Sequence, residues 1–248
     1  MQRLLSSISR ALSKPRPLTT TTTPLTKPTT PRPFTTTTTA KMGSTTANAD
    51  SFLSQIAARR SFYPLNKTLP IPTTRVQSII GEALQQVPSS FNSQSNRVVV
   101  LLGAEHDKFW DATRDILQAI VPEGAAWEAT AGKMAMFRGA AGTALFFEDQ
   151  EVVQGMQAKF ATYADRFPIW AGHSSGMLQF AVWTALEAEG LGANLQHYNP
   201  LVDAKVAEEW NVPATWKLSA QLVFGGKTSP AGEKTFTPLE DKLKVYGA

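Results

Sequence analysis

Three observations predict an α+β fold. Four strand-like runs are separated by amphipathic helical stretches, but without the regular β-α-β spacing of a doubly wound sheet. The longest helical stretch, about 172–189, is apolar on nearly all sides, as a helix buried centrally or in an interface between two copies must be. The 248 residues, 42% apolar and 18% charged, suit a globular body of one larger domain or two small ones.

Taken in order, residues 1–49 contain Arg3, Arg10, Lys14, Arg16, Lys27, Arg32 and Lys41 but no Asp or Glu, and threonine runs at 19–23 and 35–39 broken by prolines. Leu4, Leu5, Ile8, Ala11 and Leu12 recur at helical spacing among the first of those basic residues. That composition predicts a disordered targeting segment, a mitochondrial transit peptide directing import to the matrix. The alternative is a cytoplasmic extension, or a cytoplasmic form begun at Met42. Residues 50–248 are then the folded domain. Removing the seven basic residues leaves 17 positive charges against 20 acidic ones, a mildly acidic body with net charge −3. The basic excess lies in the tail, so no nucleic-acid-binding stripe is expected. The absence of cysteine excludes disulfides, thiolate nucleophiles and cysteine-ligated metal clusters. No apolar run reaches the length of a membrane span.

Phe52, Leu53 and Ile56 predict a first helix that ends at Arg59-Arg60-Ser61. A Pro- and Leu-rich loop (Pro64, Leu65, Pro70, Pro72) follows. Val76, Ile79, Ile80, Ala83 and Leu84 predict a second helix, capped by Thr73 or Thr74 and ended by Pro88. The loop Pro88-Ser-Ser-Phe-Asn-Ser-Gln94 runs into Arg97–Leu102, a β-branched stretch suited to a buried strand. Helices are predicted over 105–120, with Phe109, Trp110, Thr113, Ile116, Leu117 and Ile120 on one side, and over 123–137. A second buried strand spans Gly142–Glu148, and another helix 149–163. The long helix of 172–189 begins after Pro168 and ends at Gly190. Ala193–Tyr198 is a third strand, and Val202, Val206 and Trp210 mark a short helix. The fourth strand, Lys217–Phe224, alternates Leu218, Ala220, Leu222 and Phe224 with polar partners, and Gly225-Gly226 is expected to break it. Residues 227–248 form an irregular charged tail.

The stretches that carry chemistry are the arginine pair and the Ser-Asn-Gln loop. Adjacent helical residues do not share a face, so Arg59 and Arg60 should point different ways, or the chain leaves the helix there. Arginine's fixed charge and planar fork match a phosphate or a flat, carbonyl-rich ring, and Ser61 adds a hydroxyl. The plain alternative is a solvated basic helix end that suits the helix dipole. Asn and Gln can read a ring edge with alternating N–H and C=O groups, although such residues are also ordinary in a turn.

The order Arg-Arg-Ser, then Pro-Ser-Ser-x-Asn-Ser-Gln before a buried strand, resembles the FMN-dependent nitroreductase family. The segments Arg59–Leu65, Lys133–Asp149 and Gly190–Tyr198 are similar to the fungal and bacterial subgroup that includes the yeast fatty-acid-repression nitroreductases. The resemblance covers about residues 50–248. It implies a central mixed or antiparallel sheet flanked by helices in an intertwined homodimer, with FMN as cofactor and NAD(P)H as co-substrate. The electron acceptor it implies is a small molecule, nitroaromatic or quinone-like. It also implies that Arg59 and Ser61 meet the flavin phosphate or ribityl chain and Arg60 the pyrimidine edge. Ser89, Ser90, Asn92 and Gln94 would approach the flavin from the other protomer. Leu195, Gln196, His197 and Tyr198 would lie over the flavin, with Arg60 and His197 the candidates for tuning it. Lys234 stands where the family keeps a basic residue for the phosphate, although the usual pair of basic residues is not clear here.

Two rival functions remain. One is a flavin-binding redox or lipid-response regulator with low turnover. The other is a serine hydrolase using Gly172-x-Ser174-x-Gly176, but such an elbow needs a strand before it, and Pro168 spoils one. His106 and His173 have no companions at ligand spacing, so no metal site is expected.

Overall fold

The computed structural model describes residues 49–247, so the predicted targeting segment lies outside the described residues, except for Ala49. Seven helices and five strands form an α+β body: α1 (Ala49–Ala58), β1 (Leu65–Asn66), α2 (Thr73–Gln86), β2 (Asn96–Leu102), α3 (Ala104–Gln118), α4 (Ala125–Arg138), β3 (Gly142–Asp149), α5 (Gln150–Lys159), α6 (Phe167–Ala188), β4 (Gly192–Gln196), α7 (Asp203–Glu209) and β5 (Trp216–Lys227). The strands make one sheet in the order β1-β5-β3-β2, with β4 also on β5, and every pairing between strands is antiparallel.

The sheet is covered on both faces, which is why β3 is buried almost throughout. Ala144 and Phe146 point to a core shared with Val76 and Ile80 of α2 and Leu178, Val182 and Leu186 of α6. Leu145 and Phe147 point the other way, to Phe109, Trp110 and Leu117 of α3 and Met134 and Phe137 of α4.

Several expectations are corrected. Gly225 and Gly226 do not break β5, which continues to Lys227 and pairs with β1, a two-residue strand the sequence did not announce. A side chain at Gly225 would put its Cβ 2.4 Å from the Asn66 carbonyl oxygen, and one at Gly226 would sit 2.3 Å from that of Thr68. The glycines mark a close backbone approach, not a strand end. The β5 alternation also fails at one step. Phe146 pairs with Ala220 but Phe147 with Leu218, so Ser219 is a bulge residue, and Leu218 joins the opposite core from Ala220, Leu222 and Phe224.

Pro168 lies in the first turn of α6 instead of preceding it, since a first-turn proline forfeits no helical hydrogen bond. No threonine side chain caps α2; Pro72 holds that position. The predicted 149–163 helix stops at Lys159, and β4 ends at Gln196, two residues short of Tyr198. In the single chain α6 buries one face through Ala171, Leu178, Val182 and Leu186, while Ile169, Met177 and Phe180 stay exposed. No residue of α1 is buried, and Phe52 and Leu53 face solvent. Among the described residues, no helix is long and apolar enough to cross a membrane.

Candidate functional site

α1 delivers the arginine pair. It ends at Ala58, and the chain turns to run beside β4, with Ser61 bridging Ala193 in parallel and the Phe62 N–H donating to the Ala193 carbonyl at 3.0 Å. The Asn194 amide donates to the Phe62 carbonyl at 2.8 Å and fixes this segment from the strand side. The two arginines diverge, as expected of neighbours. The Arg59 guanidinium lies 4.4 Å over the Trp183 ring of α6, a cation–π contact worth about 0.5–2 kcal/mol. The Arg60 guanidinium donates to the Gly232 carbonyl of the C-terminal tail.

The tail reaches this place because β5 is long. Thr228 follows the glycine pair and donates to the Pro64 carbonyl through its hydroxyl at 2.8 Å, which turns residues 228–234 back over the arginines. Arg59, Arg60, Ser61, Tyr63, Gly232, Glu233 and Lys234 then line one cleft of about 400 Å³. Lys234 thus meets the three N-terminal site residues across the whole length of the domain. A larger cleft of about 550 Å³ lies between α3 and α4, but it holds none of the predicted site residues, and its Arg114 and Arg138 are paired with Asp111 at 3.3 and 3.0 Å. The arginine cleft is therefore the candidate site.

Behind that cleft is a residue that sequence reasoning missed. Glu187, the one carboxylate of α6, is buried and accepts the Arg60 backbone N–H at 2.8 Å. The Lys227 ammonium approaches it at 3.4 Å and lies 4.4 Å over the Phe62 ring. Burial pushes the Glu187 carboxyl above its ordinary range, while the Arg60 N–H, Lys227 and Arg59 pull the other way. A lone acid in an otherwise apolar helix was the available signal.

The Ser-Asn-Gln loop is not brought to this cleft. It packs on the N-terminal half of α6: the Ser174 hydroxyl donates to the Pro88 carbonyl at 3.0 Å, and the Phe91 ring sits 5.6 Å from Phe167 and 6.0 Å from Trp170. From Ser174 to Glu187 is about 20 Å of helix at 1.5 Å per residue. Within one chain the two motifs thus pack at places well separated along α6. The loop is also strained: Phe91, Asn92 and Gln94 have φ of 56°, 52° and 52°, a left-handed region that non-glycine residues rarely occupy. Ser89 accepts the Gln94 N–H at 2.9 Å and keeps its hydroxyl proton for another acceptor. Ser90 is half-buried; Asn92 and Gln94 are exposed.

The 195–198 segment splits by residue. Leu195 packs on the α2–α6 core, and the Gln196 amide donates to Asn194 Oδ1 at 2.8 Å. The Tyr198 ring belongs to the other core, edge-on to Trp110 at 5.6 Å, and burial raises its phenol. The Tyr198 N–H donates to Gln221 Oε1 at 2.7 Å and is not free for a ligand. His197 is exposed, and among the described residues its N–H has no partner.

The G-x-S-x-G sequence lies wholly inside α6, not at a strand-to-helix turn. Ser174 is buried, with its hydroxyl held by the Pro88 carbonyl and the Asn96 amide at 3.0 Å each. The hydrolase reading is thereby removed. Among the described residues no cluster of three or more potential metal ligands occurs.

Comparison with known proteins adds a consistent picture. The nitroreductase family profile matches residues 56–226. The chain is 39% identical to the Saccharomyces cerevisiae nitroreductase-named protein HBN1 and 35% identical to the nitroreductase FRM2 of the same yeast, each over 198 residues, 79% of this chain and 97% of the relative. Its fold is similar to that of the Lactococcus lactis nitroreductase CinD. In complex with nicotinic acid the match has TM-score 0.73 and 47% identity, over 79% of this chain and 99% of that one. The CinD complex with 4-nitrophenol gives TM-score 0.72 and 45% identity, over 79% and 99%. A Desulfovibrio desulfuricans nitroreductase-type protein in complex with FMN shares the fold at TM-score 0.56 and 20% identity, over 79% of this chain and 97% of that one.

Proposed function

The chain belongs to the nitroreductase family, and from that premise we propose that it is an FMN-dependent enzyme that passes hydride from NAD(P)H to a nitroaromatic or quinone-like acceptor. Its relatives place it among the flavin-dependent oxidoreductases. The observation that carries the finer reading is the convergence of Arg59, Arg60, Ser61 and Lys234 on one cleft of about 400 Å³, a volume ordinary for a cofactor site. The donor set suits a phosphorylated, planar group. Moreover, the Arg59 Nε is buried with no hydrogen-bond partner among the described residues, and a buried donor of that kind suits an acceptor from a ligand.

FMN, when bound, supplies the redox chemistry, receiving two electrons as hydride from the nicotinamide and giving them to the acceptor. Arg59, Ser61 and Lys234 would hold its phosphate and ribityl chain. Arg60 would meet the pyrimidine edge and stabilise negative charge there by preorganised electrostatics. The His197 N–H offers a hydrogen bond to the ring. No side-chain acid or base is needed, which agrees with the lack of a catalytic dyad in the cleft. The nitroaromatic acceptor follows the L. lactis relative, solved with 4-nitrophenol.

The working unit in this proposal is a homodimer, the usual state of the family. Ile169, Met177 and Phe180 on α6 and Phe91 and Tyr163 beside it form an exposed apolar face of a kind that marks an interface. Two copies joined there carry the Ser89–Gln94 loop of each chain to the cleft of the other.

Purified protein should absorb near about 450 nm and release FMN on heating. Protein that stays colourless through FMN titration refutes the proposal. Steady NAD(P)H oxidation that requires a nitroaromatic or quinone separates this enzyme from a flavin-binding regulator with little turnover.

A further inference from the structure

Arg97 is the second residue of β2, three residues beyond the end of the Ser-Asn-Gln loop. Its Nη1 donates to the Gln94 carbonyl at 2.8 Å and to the Asn96 carbonyl at 2.9 Å. Its Nη2 donates to Asp149 Oδ2 at 2.9 Å, and its guanidinium lies 5.7 Å from the Trp216 ring. Asp149 is itself fixed. Its N–H donates to the Ser95 carbonyl at 2.8 Å, and its other carboxylate oxygen caps α5 by accepting the Glu151 N–H at 3.1 Å. The carboxylate is only 10% exposed, so the pair is partly desolvated and geometrically constrained, unlike the solvated surface pairs elsewhere on this chain.

Left-handed backbone at three non-glycine residues persists only where the surroundings impose it. At Phe91 the imposition is the ring cluster of Phe160, Phe167 and Trp170. At Gln94 it is a clamp from both sides, with Ser89 Oγ on the N–H and Arg97 on the carbonyl. Arginine suits that place because one planar fork reaches two carbonyls and a carboxylate at once; lysine, a point charge, cannot serve all three in fixed geometry.

We infer that Arg97, braced by Asp149, is a positioning residue that holds the 88–94 loop in the strained shape it must present to the flavin site of the other chain. The inference rests on the shared FMN site proposed above. Arg97 touches neither cofactor nor substrate; it acts through Gln94, and it acts in trans.

The test uses the full-length dimer. Arg97→Gln should weaken FMN binding by about tenfold and speed amide hydrogen exchange across 88–95, while leaving the two-fold assembly intact in sedimentation. Arg97→Lys should fall between it and the parent. Because Arg97→Gln strands the buried Asp149 charge, the double variant Arg97→Gln/Asp149→Asn is made beside it. It should regain thermal stability without regaining FMN affinity, which a purely structural role would not allow. In subunit mixing, Arg97→Gln should recover flavin sites with Arg59→Ala but not with Asn92→Ala. FMN affinity of Arg97→Gln within twofold of the parent overturns the inference. So does stability and affinity returning together in the double variant, or recovery with Asn92→Ala. If the parent itself takes up no FMN, the shared-site reading fails, and exchange across 88–95 alone judges the clamp: equal protection in parent and Arg97→Gln overturns it.

Discussion

Mixing two chains that are each flavin-poor should restore flavin sites. Arg59→Ala removes a donor from the cleft, and Asn92→Ala alters the loop that packs about 20 Å away along α6. Losing a charge-assisted hydrogen bond costs about 1.5–3 kcal/mol, or roughly 10- to 150-fold in Kd. At an FMN concentration near the parent's Kd, an Arg59→Ala homodimer should therefore hold less than about a fifth of the parent's flavin. If both motifs served one chain's own site, the mixture would only average two defects. With the site shared, a mixed dimer carries both defects in one site and none in the other. Random reassortment of equal amounts makes about half the dimers mixed, so about a quarter of all sites recover. The assay is bound flavin absorbance after gel filtration, with subunit exchange proved by two different affinity tags. Exchange without recovery, or a monomer in sedimentation that holds FMN and turns over, refutes the reasoning.

Four further outcomes are expected. Arg60→Ala at full FMN occupancy should lower the rate of acceptor reduction by about 2–4 kcal/mol of transition-state stabilisation; a parent-like rate in stopped flow removes its role. His106 is fully buried, with Nδ1 2.9 Å from the Thr143 hydroxyl and Nε2 3.1 Å from the Phe137 carbonyl, and burial lowers its pKa to about 4. The folded state thus refuses a proton that the unfolded chain binds at 6.5, so its stabilisation is whole above pH 6.5 and is lost as pH falls towards 4, by about 3 kcal/mol. His106→Gln, which keeps a donor and an acceptor, should flatten that part of the urea-unfolding profile, and identical profiles would contradict the assignment. Gly226→Ala puts a Cβ 2.3 Å from the Thr68 carbonyl oxygen and should cost about 1–3 kcal/mol in the same assay; an unchanged midpoint would show that β1 is not held as described. Residues 1–49 fused to a fluorescent protein should enter mitochondria, and a fusion that stays cytosolic rejects the targeting proposal.

What could be read from the chain alone follows the range of each physical signal. Period-3.6 stripes located α2 and α3 because their buried faces are continuous, all-round apolarity located α6, and the β-branched run located β2. The signals failed where a distant partner decides. Gly225-Gly226 looks like a stop until β1 lies against it, and β1 has too few residues to carry any pattern of its own. The Ser219 bulge, which sends Leu218 to the opposite core, likewise depends on its register with Phe146 and Phe147. At the site, Arg59, Arg60, Ser61 and Lys234 were legible as residue types, and only the family resemblance, not any local pattern, set Lys234 beside the others. Their meeting depends on β5 running through that glycine pair and returning the tail. Glu187 and Arg97 were missed for a related reason: each acts on a backbone group of a residue that was noticed, and side-chain type says nothing of that. The shared site needs both kinds of information. The proposed site, following the family resemblance, puts the arginine pair and the Ser-Asn-Gln loop on one cofactor; the fold packs them towards opposite ends of α6, with exposed apolar residues on that helix. Under the proposal two copies of the chain meet both conditions, and the mixing experiment decides between two copies and one.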